Sequence, residues 1–355
     1  MEAIVIAGGL GSRLRPLTDR RPKHVLPVGG VPFVLHQLTK LAAAGVDSVV
    51  LATSYHADAF APVIGDGSRL GLRVSYVTEA EPMGTGGAIR NAAGELRSGP
   101  DDPVVVLNGD QLSGHDLVAQ VARFEQSAAD VCLHLIEVVD PRPYGCVPTG
   151  LDGAVLEFLE KSTDPVSSQV NAGCYVFRRS VIDTIPPGRV VSVERETFPE
   201  LLRARRRVIG HPDSSYWRDV GTPEALVDAS ADLVHGIAKS PAYLSRPGER
   251  LLQAGAQVAD PAGVHGGSVV GDDAVVQAGA VVEGSVLMPR SQVGPGARVV
   301  RSVVGPGATV GARTSLHGAC VGDDAVVGDD CALGPGVRVA CGAVISQGAV
   351  WRSAP

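Results

Sequence analysis

The sequence predicts an α/β chain in two parts, a mainly parallel sheet covered by helices followed by a parallel β-helix. Three observations carry this. Over residues 1 to about 238, short apolar runs alternate with helix-length segments. From about residue 250 an aliphatic side chain recurs every six positions, and Gly-Asp, Gly-Pro and Gly-Ala pairs fill the intervals. Repeated strand–turn–helix grammar favours parallel strands buried on both faces. A hexapeptide period with one inward aliphatic per short strand is the pattern of a parallel β-helix.

In the first part, residues 3–7 (AIVIA) read as a buried strand that runs into a glycine-rich turn. Residues 31–44 have helical spacing and stop at Gly45. Further strands are expected at 49–53, 72–77 and 104–107, separated by helix-length segments at 54–64, 84–97 and 113–128. Ligands of such sheets bind beyond the carboxyl ends of the strands. The turns after Ala7 and Leu107 are therefore the candidate sites. A strand at 155–159 is expected to end in Glu160-Lys161.

In the second part the series runs Leu252, Val258, Val264, Val270, Val276, Val282 and on to Ile345, with three steps of five residues among the sixes. Small residues such as Ala274, Ala297 and Ala325 follow four positions later and suit tight corners. Seventeen inward positions at three strands per coil give five to six coils. In this the segment resembles left-handed hexapeptide-repeat domains. The expected division is 1–238 for the α/β domain, 239–250 for a linker containing the PAYLSRPG run, and 251–355 for the β-helix.

Composition narrows the function classes. A net charge of −7 leaves no global positive field for nucleic acid, and the one dense basic run, Arg203 to Arg207, reads as a solvated helix end. No apolar stretch approaches the ~18 residues of a membrane span, and no basic leader precedes the first strand, so a cytoplasmic protein is expected. The six cysteines show no C-x-x-C spacing and read as reduced, packed thiols. Only four of the 31 basic residues are lysines, namely Lys23, Lys40, Lys161 and Lys239. Arginine is this chain's default cation, so each lysine is informative.

The first turn reads Ala7-Gly8-Gly9-Leu10-Gly11-Ser12-Arg13-Leu14-Arg15-Pro16-Leu17-Thr18, then Pro22-Lys23. Glycines after a buried strand let backbone N–H groups approach phosphate oxygens with no Cβ in the way. Arg13 can hold the outer phosphates of a triphosphate through its fork of donors, and Lys23 supplies a compact charge near the α-phosphate. A dinucleotide fingerprint would need glycine where Leu14 sits and an acid where Thr53 sits; a Walker A loop would need Gly-Lys-Ser/Thr. Neither is present.

The whole string G-G-x-G-x-R-L-x-P-L-T…P-K resembles that of the sugar-1-phosphate nucleotidylyltransferases. Within that family the chain looks most like bacterial mannose-1-phosphate guanylyltransferases that carry a C-terminal hexapeptide β-helix. The similarity extends over nearly the whole chain. It implies a Rossmann-like nucleotidyltransferase domain followed by a left-handed β-helix. It also implies transfer of a nucleoside monophosphate, GMP favoured, from GTP or another nucleoside triphosphate to a sugar 1-phosphate.

Carried residue by residue, the resemblance assigns Ala7, Gly8, Gly9, Gly11, Ser12, Arg13 and Lys23 to the triphosphate. Asp110, in Asn108-Gly109-Asp110, and Asp219, in Trp217-Arg218-Asp219, match aspartates that hold Mg²⁺ in relatives; a hard ion favours carboxylate oxygens and keeps water ligands. Lys161 matches the lysine that grips the sugar phosphate, with Glu160, Gly145, Asn171 and Gly173 in the sugar-facing turns. Glu79, Gly84 and Thr85 fall in the base-recognition segment. A carboxylate there can accept from guanine N1–H and N2–H₂ together.

Where relatives read P-K-P-M or P-K-P-L, this chain has Pro22-Lys23-His24-Val25. That departure leaves open a cyclitol substrate such as valienol 1-phosphate, and UTP, dTTP or ATP remain alternatives to GTP. An acyltransferase using His265 or His317 of the β-helix would leave the N-terminal constellation unexplained. A regulatory paralogue that only binds sugar nucleotide would not need Arg13, Lys23, Asp110, Lys161 and Asp219 intact. A homo-oligomer built through the β-helix is expected, because stacked coils leave an open end and apolar faces.

Overall fold

A computed structural model describes residues 1–54, 56–161 and 163–352. The chain forms two compact units, one of Met1–Gly9 with Gln37–Trp217 and one of Leu10–His36 with Arg218–Pro355.

The first unit is built on a nine-stranded sheet. Strand β1 (Glu2–Ala7) pairs in parallel with β2 (Ser48–Thr53) on one side and β4 (Pro103–Asn108) on the other, and β2 pairs in parallel with β3 (Arg73–Thr78). Short strands follow at β5 (Gln111–Ser113), which lies outside this sheet, and at β7 (Gly145–Cys146) and β8 (Leu159–Glu160), which belong to it. The long strand β9 (Gln169–Arg178) runs antiparallel to both β4 and β6 (Val131–Glu137), and β10 (Val208–Asp213) is parallel to β6. The sheet is thus mixed, with its parallel core at β1–β4, in agreement with the sequence reading.

The apolar runs become strands because they are covered on both faces. Ile4, Val50, Val104 and Val106 are buried with Ile89 and Ala92 of helix α2 (Gly84–Ala92) and with Phe198, which opens α4 (Phe198–Arg203). Helix α1 (Phe33–Ala43) fills the segment expected at 31–44 and gives way to Gly45 at φ 81°. Helix α3 (Leu117–Ser127) starts where Asp116 caps Ala119 N–H at 3.0 Å.

Two expectations are corrected. The 54–64 segment is not one helix: a 3₁₀ turn at Ala57–Ala59 precedes a four-residue helix, Ala61–Ile64, because Pro62 fits only the first turn. The strand expected at 155–159 shrinks to Leu159–Glu160, since Val155 makes only an isolated bridge to Thr149.

In the second unit, helix α5 (Pro223–Val234) is capped by Thr222, whose hydroxyl accepts from Ala225 N–H at 3.2 Å. The chain then winds into a left-handed parallel β-helix of three six-stranded sheets, one strand per coil in each. Partners such as Val276 and Val293 lie 17 residues apart, whereas Val258 and Val276 lie 18 apart. The inward aliphatics Val264, Val270, Val282, Val299, Val310 and Val327 stack into one buried column with Ala274, Ala297 and Ala325.

The five-residue steps all fall at the same corner, after Val282, Val299 and Leu316. There the missing residue is offset by a polar ladder. Ser268 Oγ accepts from Ser285 N–H at 3.1 Å, Ser285 Oγ from Ser302 N–H at 3.0 Å, and Ser302 Oγ from Ala319 N–H at 3.0 Å. A buried N–H left without its acceptor costs about 1–3 kcal/mol. Ser302→Ala should therefore lower the unfolding free energy by that amount in urea titration; an unchanged midpoint would show that the ladder adds nothing.

Candidate functional site

In the first unit the strand order β3-β2-β1-β4 means that the chain steps outward from β1 and then returns across it to β4. Ligands of open α/β sheets bind at such a reversal, outside the carboxyl ends of the strands. Ala7-Gly8-Gly9 leaves β1 there and Gly109-Asp110 leaves β4 there, tied together by Gly109 N–H donating to Ile6 O at 2.9 Å. Beside them Ser54, just past β2, donates to Gly8 O at 2.5 Å, and a Cβ on Gly8 would meet its hydroxyl at 3.1 Å.

Glu79, one residue beyond β3, reaches the same place. Its Oε2 would lie 3.7 Å from a Cβ at Gly8 and accepts from Met83 N–H at 3.3 Å. The residue is only 8% exposed, and its Oε1 has no hydrogen-bond partner among the described residues. Burial raises the Glu79 carboxyl above its ordinary value, with the Met83 N–H opposing.

Gly84 opens α2 at φ 71°, and a Cβ there would strike Val191 O at 2.5 Å. The glycines of this segment are thus used to pack helix against chain. Thr85 is also occupied locally, donating to Glu194 Oε2 at 2.7 Å and accepting from Val193 N–H at 2.9 Å.

The residues assigned to the sugar phosphate gather around β7–β9. A Cβ on Gly145 would meet Glu160 Oε2 at 2.8 Å, so glycine is what lets the Glu160 carboxylate lie over β7. Burial and the nearby Glu194 charge raise the Glu160 carboxyl, while Lys161 pulls it down. Lys161, at φ 51°, stands 61% exposed with its Nζ 3.7 Å from Glu160 Oε1. Asn171 donates to the Tyr175 hydroxyl at 2.8 Å and accepts from Gly173 N–H at 3.0 Å. The space left by Gly173 is taken by the Gln111 side chain.

Sequence reasoning missed Ser54, Gln111, Tyr175 and Glu194. Ser54 and Gln111 were findable from position alone, lying one and three residues beyond a strand's carboxyl end. Tyr175 and Glu194 carry no local signal. With Glu79 Oε1, the side-chain oxygens Asn108 Oδ1 and Gln111 Oε1 are buried acceptors without partners among the described residues. Three such oxygens at the sheet's carboxyl edge suit a ligand rich in N–H and O–H donors.

Lys40 has a structural role. Its ammonium donates to Ser113 O at 2.9 Å and His115 Nδ1 at 2.7 Å, under β5, and burial pushes it down to about 8. His115 Nε2 in turn donates to Gln120 Oε1 at 3.0 Å, and His134 stacks on its ring at 3.7 Å, held down to about 3 by burial.

In the second unit the turn continues through Gly11, at φ 62°, into the 3₁₀ turn Ser12–Leu14. Thr18 Oγ1 donates to Gly11 O at 2.9 Å, and Lys23 Cβ would lie 3.2 Å from a Cβ at Gly11. Leu14 and Leu17 are buried, whereas the Arg13 side chain faces outward, 65% exposed. Its Nη2 lies 3.7 Å from Asp219 Oδ2, and Gly221 leaves the space it occupies. His265 and His317 stand on one β-helix face but are separated by the strands of Glu283 and Val300. At ~4.8 Å per strand they share no site.

Among the described residues no helix is long and apolar enough to cross a membrane, and no group of three or more His, Cys, Asp or Glu side chains is placed to hold a metal.

Comparison with known proteins agrees with these features. A family model described as nucleotidyl transferase matches residues 2–236, and one described as GlmU-like C-terminal hexapeptide matches residues 256–338. A mannose-1-phosphate guanylyltransferase of Mycobacterium tuberculosis is 51% identical over 85% of this chain and 83% of its own length. Mannose-1-phosphate guanylyltransferase 1 of Arabidopsis thaliana is 32% identical over 84% and 82%. Among solved structures, HddC from Yersinia pseudotuberculosis complexed with GMP-PN superposes with a TM-score of 0.54 at 27% identity, covering 64% of this chain and 97% of HddC.

Proposed function

The chain belongs to the nucleotidyl transferase family, and from that premise we propose that it transfers GMP from GTP to mannose 1-phosphate, giving GDP-mannose and pyrophosphate. The observation that carries the reading is the Glu79 carboxylate, buried beside Gly8 with one oxygen unpartnered among the described residues. It presents an acceptor where a base adjoining the phosphate turn would offer donors. The 51% identity to the mycobacterial guanylyltransferase supports the same substrates.

The reaction needs no covalent nucleophile. An oxygen of the sugar phosphate attacks the α-phosphorus in line, the new P–O bond replaces the bond to the β-phosphate, and pyrophosphate leaves. What the protein supplies is position and charge. Lys161, exposed and only loosely paired with Glu160, orients the attacking phosphate. The main chain of Gly8, Gly9 and Gly11 faces the triphosphate, and Arg13 with Lys23 neutralises the departing pyrophosphate. Asn171 and the Glu160 carboxylate read hydroxyls of the sugar.

Enzymes of this family generally use a divalent metal. Mg²⁺ takes one or two carboxylates, substrate phosphates and water, and needs no all-protein cage, which fits Asp110 and Asp219 as the carboxylates assigned to it. When bound it adds positive charge to the phosphates. We further propose fold domains at 1–238 and 251–355 with a linker at 239–250, a boundary supported by the change of period and by family matches that leave 237–255 unclaimed. Six free cysteines suit a reducing, cytoplasmic setting.

If Glu79 reads guanine, wild type should release pyrophosphate faster with GTP and mannose 1-phosphate than with UTP, dTTP or ATP, or with valienol 1-phosphate. Glu79→Gln should lose about 10- to 100-fold in GTP efficiency and less with UTP. The carboxylate must be ionised to accept, and its proton binds at higher pH than on an ordinary glutamate. GTP affinity should therefore fall as the solution is acidified toward that raised value, a step missing from Glu79→Gln. Equal losses for all bases would leave Glu79 with a packing role.

Asp110→Asn and Asp219→Asn should each lower turnover about 10²- to 10³-fold with the circular dichroism spectrum unchanged. Near-normal turnover in limiting Mg²⁺ would place the ion elsewhere. A homo-oligomer formed through the β-helix should sediment faster than a 36.5 kDa monomer; a monomer at micromolar concentration rejects it.

A further inference from the structure

Within the second unit, the phosphate-turn residues Leu10–His36 are packed with the β-helix. The segment has little regular structure of its own, only the 3₁₀ turns Ser12–Leu14 and Lys23–Val25 and the two-residue strands Pro27–Val28 and Val31–Pro32 before α1 begins. A loop of that kind keeps one geometry only if its main-chain polar groups are satisfied by something rigid. The last two coils supply it.

Arg338, on the sixth strand of the first β-helix sheet, donates Nη1 to Arg13 O at 2.6 Å and to Arg15 O. Cys341 Sγ donates to Pro16 O at 3.4 Å. Asp323, buried at a corner of the fifth coil, receives both Nη1 and Nη2 of Arg21, and Asp324 pairs with Arg20 at 2.7 Å. At the far end of the segment, Gln253 Nε2 donates to Gly30 O at 2.9 Å. Three carbonyls in four residues, those of Arg13, Arg15 and Pro16, are therefore claimed by side chains of one coil.

A guanidinium donating to carbonyls makes charge-assisted bonds, stronger than neutral ones and fixed in direction by its planar fork. The exposed Arg13 guanidinium is held by little packing of its own. Its aim toward Asp219 depends on where its backbone is fixed, and Arg338 fixes that backbone. We infer that Arg338, backed by the Arg21–Asp323 pair, is a positioning residue for Arg13, so that the β-helix sets the geometry of the phosphate turn as well as any assembly role. The inference rests on the proposal that Arg13 faces the departing pyrophosphate.

The test uses the full-length chain. Arg338→Met keeps the stem and removes the donors, whereas Arg338→Lys keeps a charged donor. A displacement of ~1 Å in a catalytic group costs up to about 100-fold. Arg338→Met should thus lower kcat about 10- to 100-fold with KM for mannose 1-phosphate within about twofold, and Arg338→Lys should recover most of the loss. In an Arg13→Ala background Arg338→Met should add less than about threefold, because residues that act through one another are not additive. Hydrogen exchange of the amides of residues 11–18, measured with no substrate present, should accelerate in Arg338→Met. Wild-type exchange rates in that variant, or a full second loss on top of Arg13→Ala, overturn the inference. Exchange is read without turnover, so a wild-type protein that fails to use GTP and mannose 1-phosphate would reject the substrate proposal and leave the positioning result readable.

Discussion

Main-chain N–H groups can meet phosphate oxygens only where the chain leaves a strand end with no Cβ atoms in the way, and the turn after β1 is built around that requirement. A Cβ at Gly8 would crowd the Ser54 hydroxyl at 3.1 Å and lie in contact with the Glu79 carboxylate at 3.7 Å. Gly11 takes a left-handed conformation with Thr18 closed over it. The burial of β1 between β2 and β4 follows from the same need, because a turn is only as fixed as the strand that feeds it. Ile4 and Val5 are fully buried, and both neighbours are bonded along the length of the strand.

The sheet reversal at β1 explains why chemistry from distant sequence meets at one edge. Residues past β1, β2, β3 and β4 arrive there as Gly8, Ser54, Glu79 and Asp110. The antiparallel partner β9 brings a different set: Tyr175 is buried and bonded to both Asn108 and Asn171, so one phenol links the strand before Asp110 to the sugar-facing turn. Gln111 lies against Gly173 in the same way. The site is held by a connected polar layer, and a connected layer resists the sliding that a set of isolated contacts would allow.

The β-helix follows a different logic. Its aliphatic column makes the coil, while its outward side chains are free to do other work. Asp323, Asp324 and Arg338 spend that freedom on the segment that contains Arg13. A rigid solenoid suits this duty, since each strand is bonded to its neighbours through successive coils and a side chain projecting from it has little backbone motion to transmit.

Much of this was legible from residue order. The six-residue period specifies the β-helix because each short strand must bury one aliphatic and each corner admits only small or glycine-rich sequence. Val276, Val293 and Val310 declare their stacking with no knowledge of the rest. The string from Gly8 to Lys23 declares a phosphate turn for a similarly local reason, that backbone approach demands glycine. What periodicity could not give was the antiparallel half of the first sheet, where β8 is two residues long and its pairing is set by neighbours. Nor could it give the partners of Thr85, which lie more than a hundred residues away at Val193 and Glu194. The tie between Arg338 and the carbonyls of Arg13 and Arg15 spans more than three hundred residues. Local sequence fixes what a segment needs to bury or bond. Only the folded chain decides which distant group meets that need, because the choice depends on which surfaces the finished coils and strands bring within hydrogen-bonding distance.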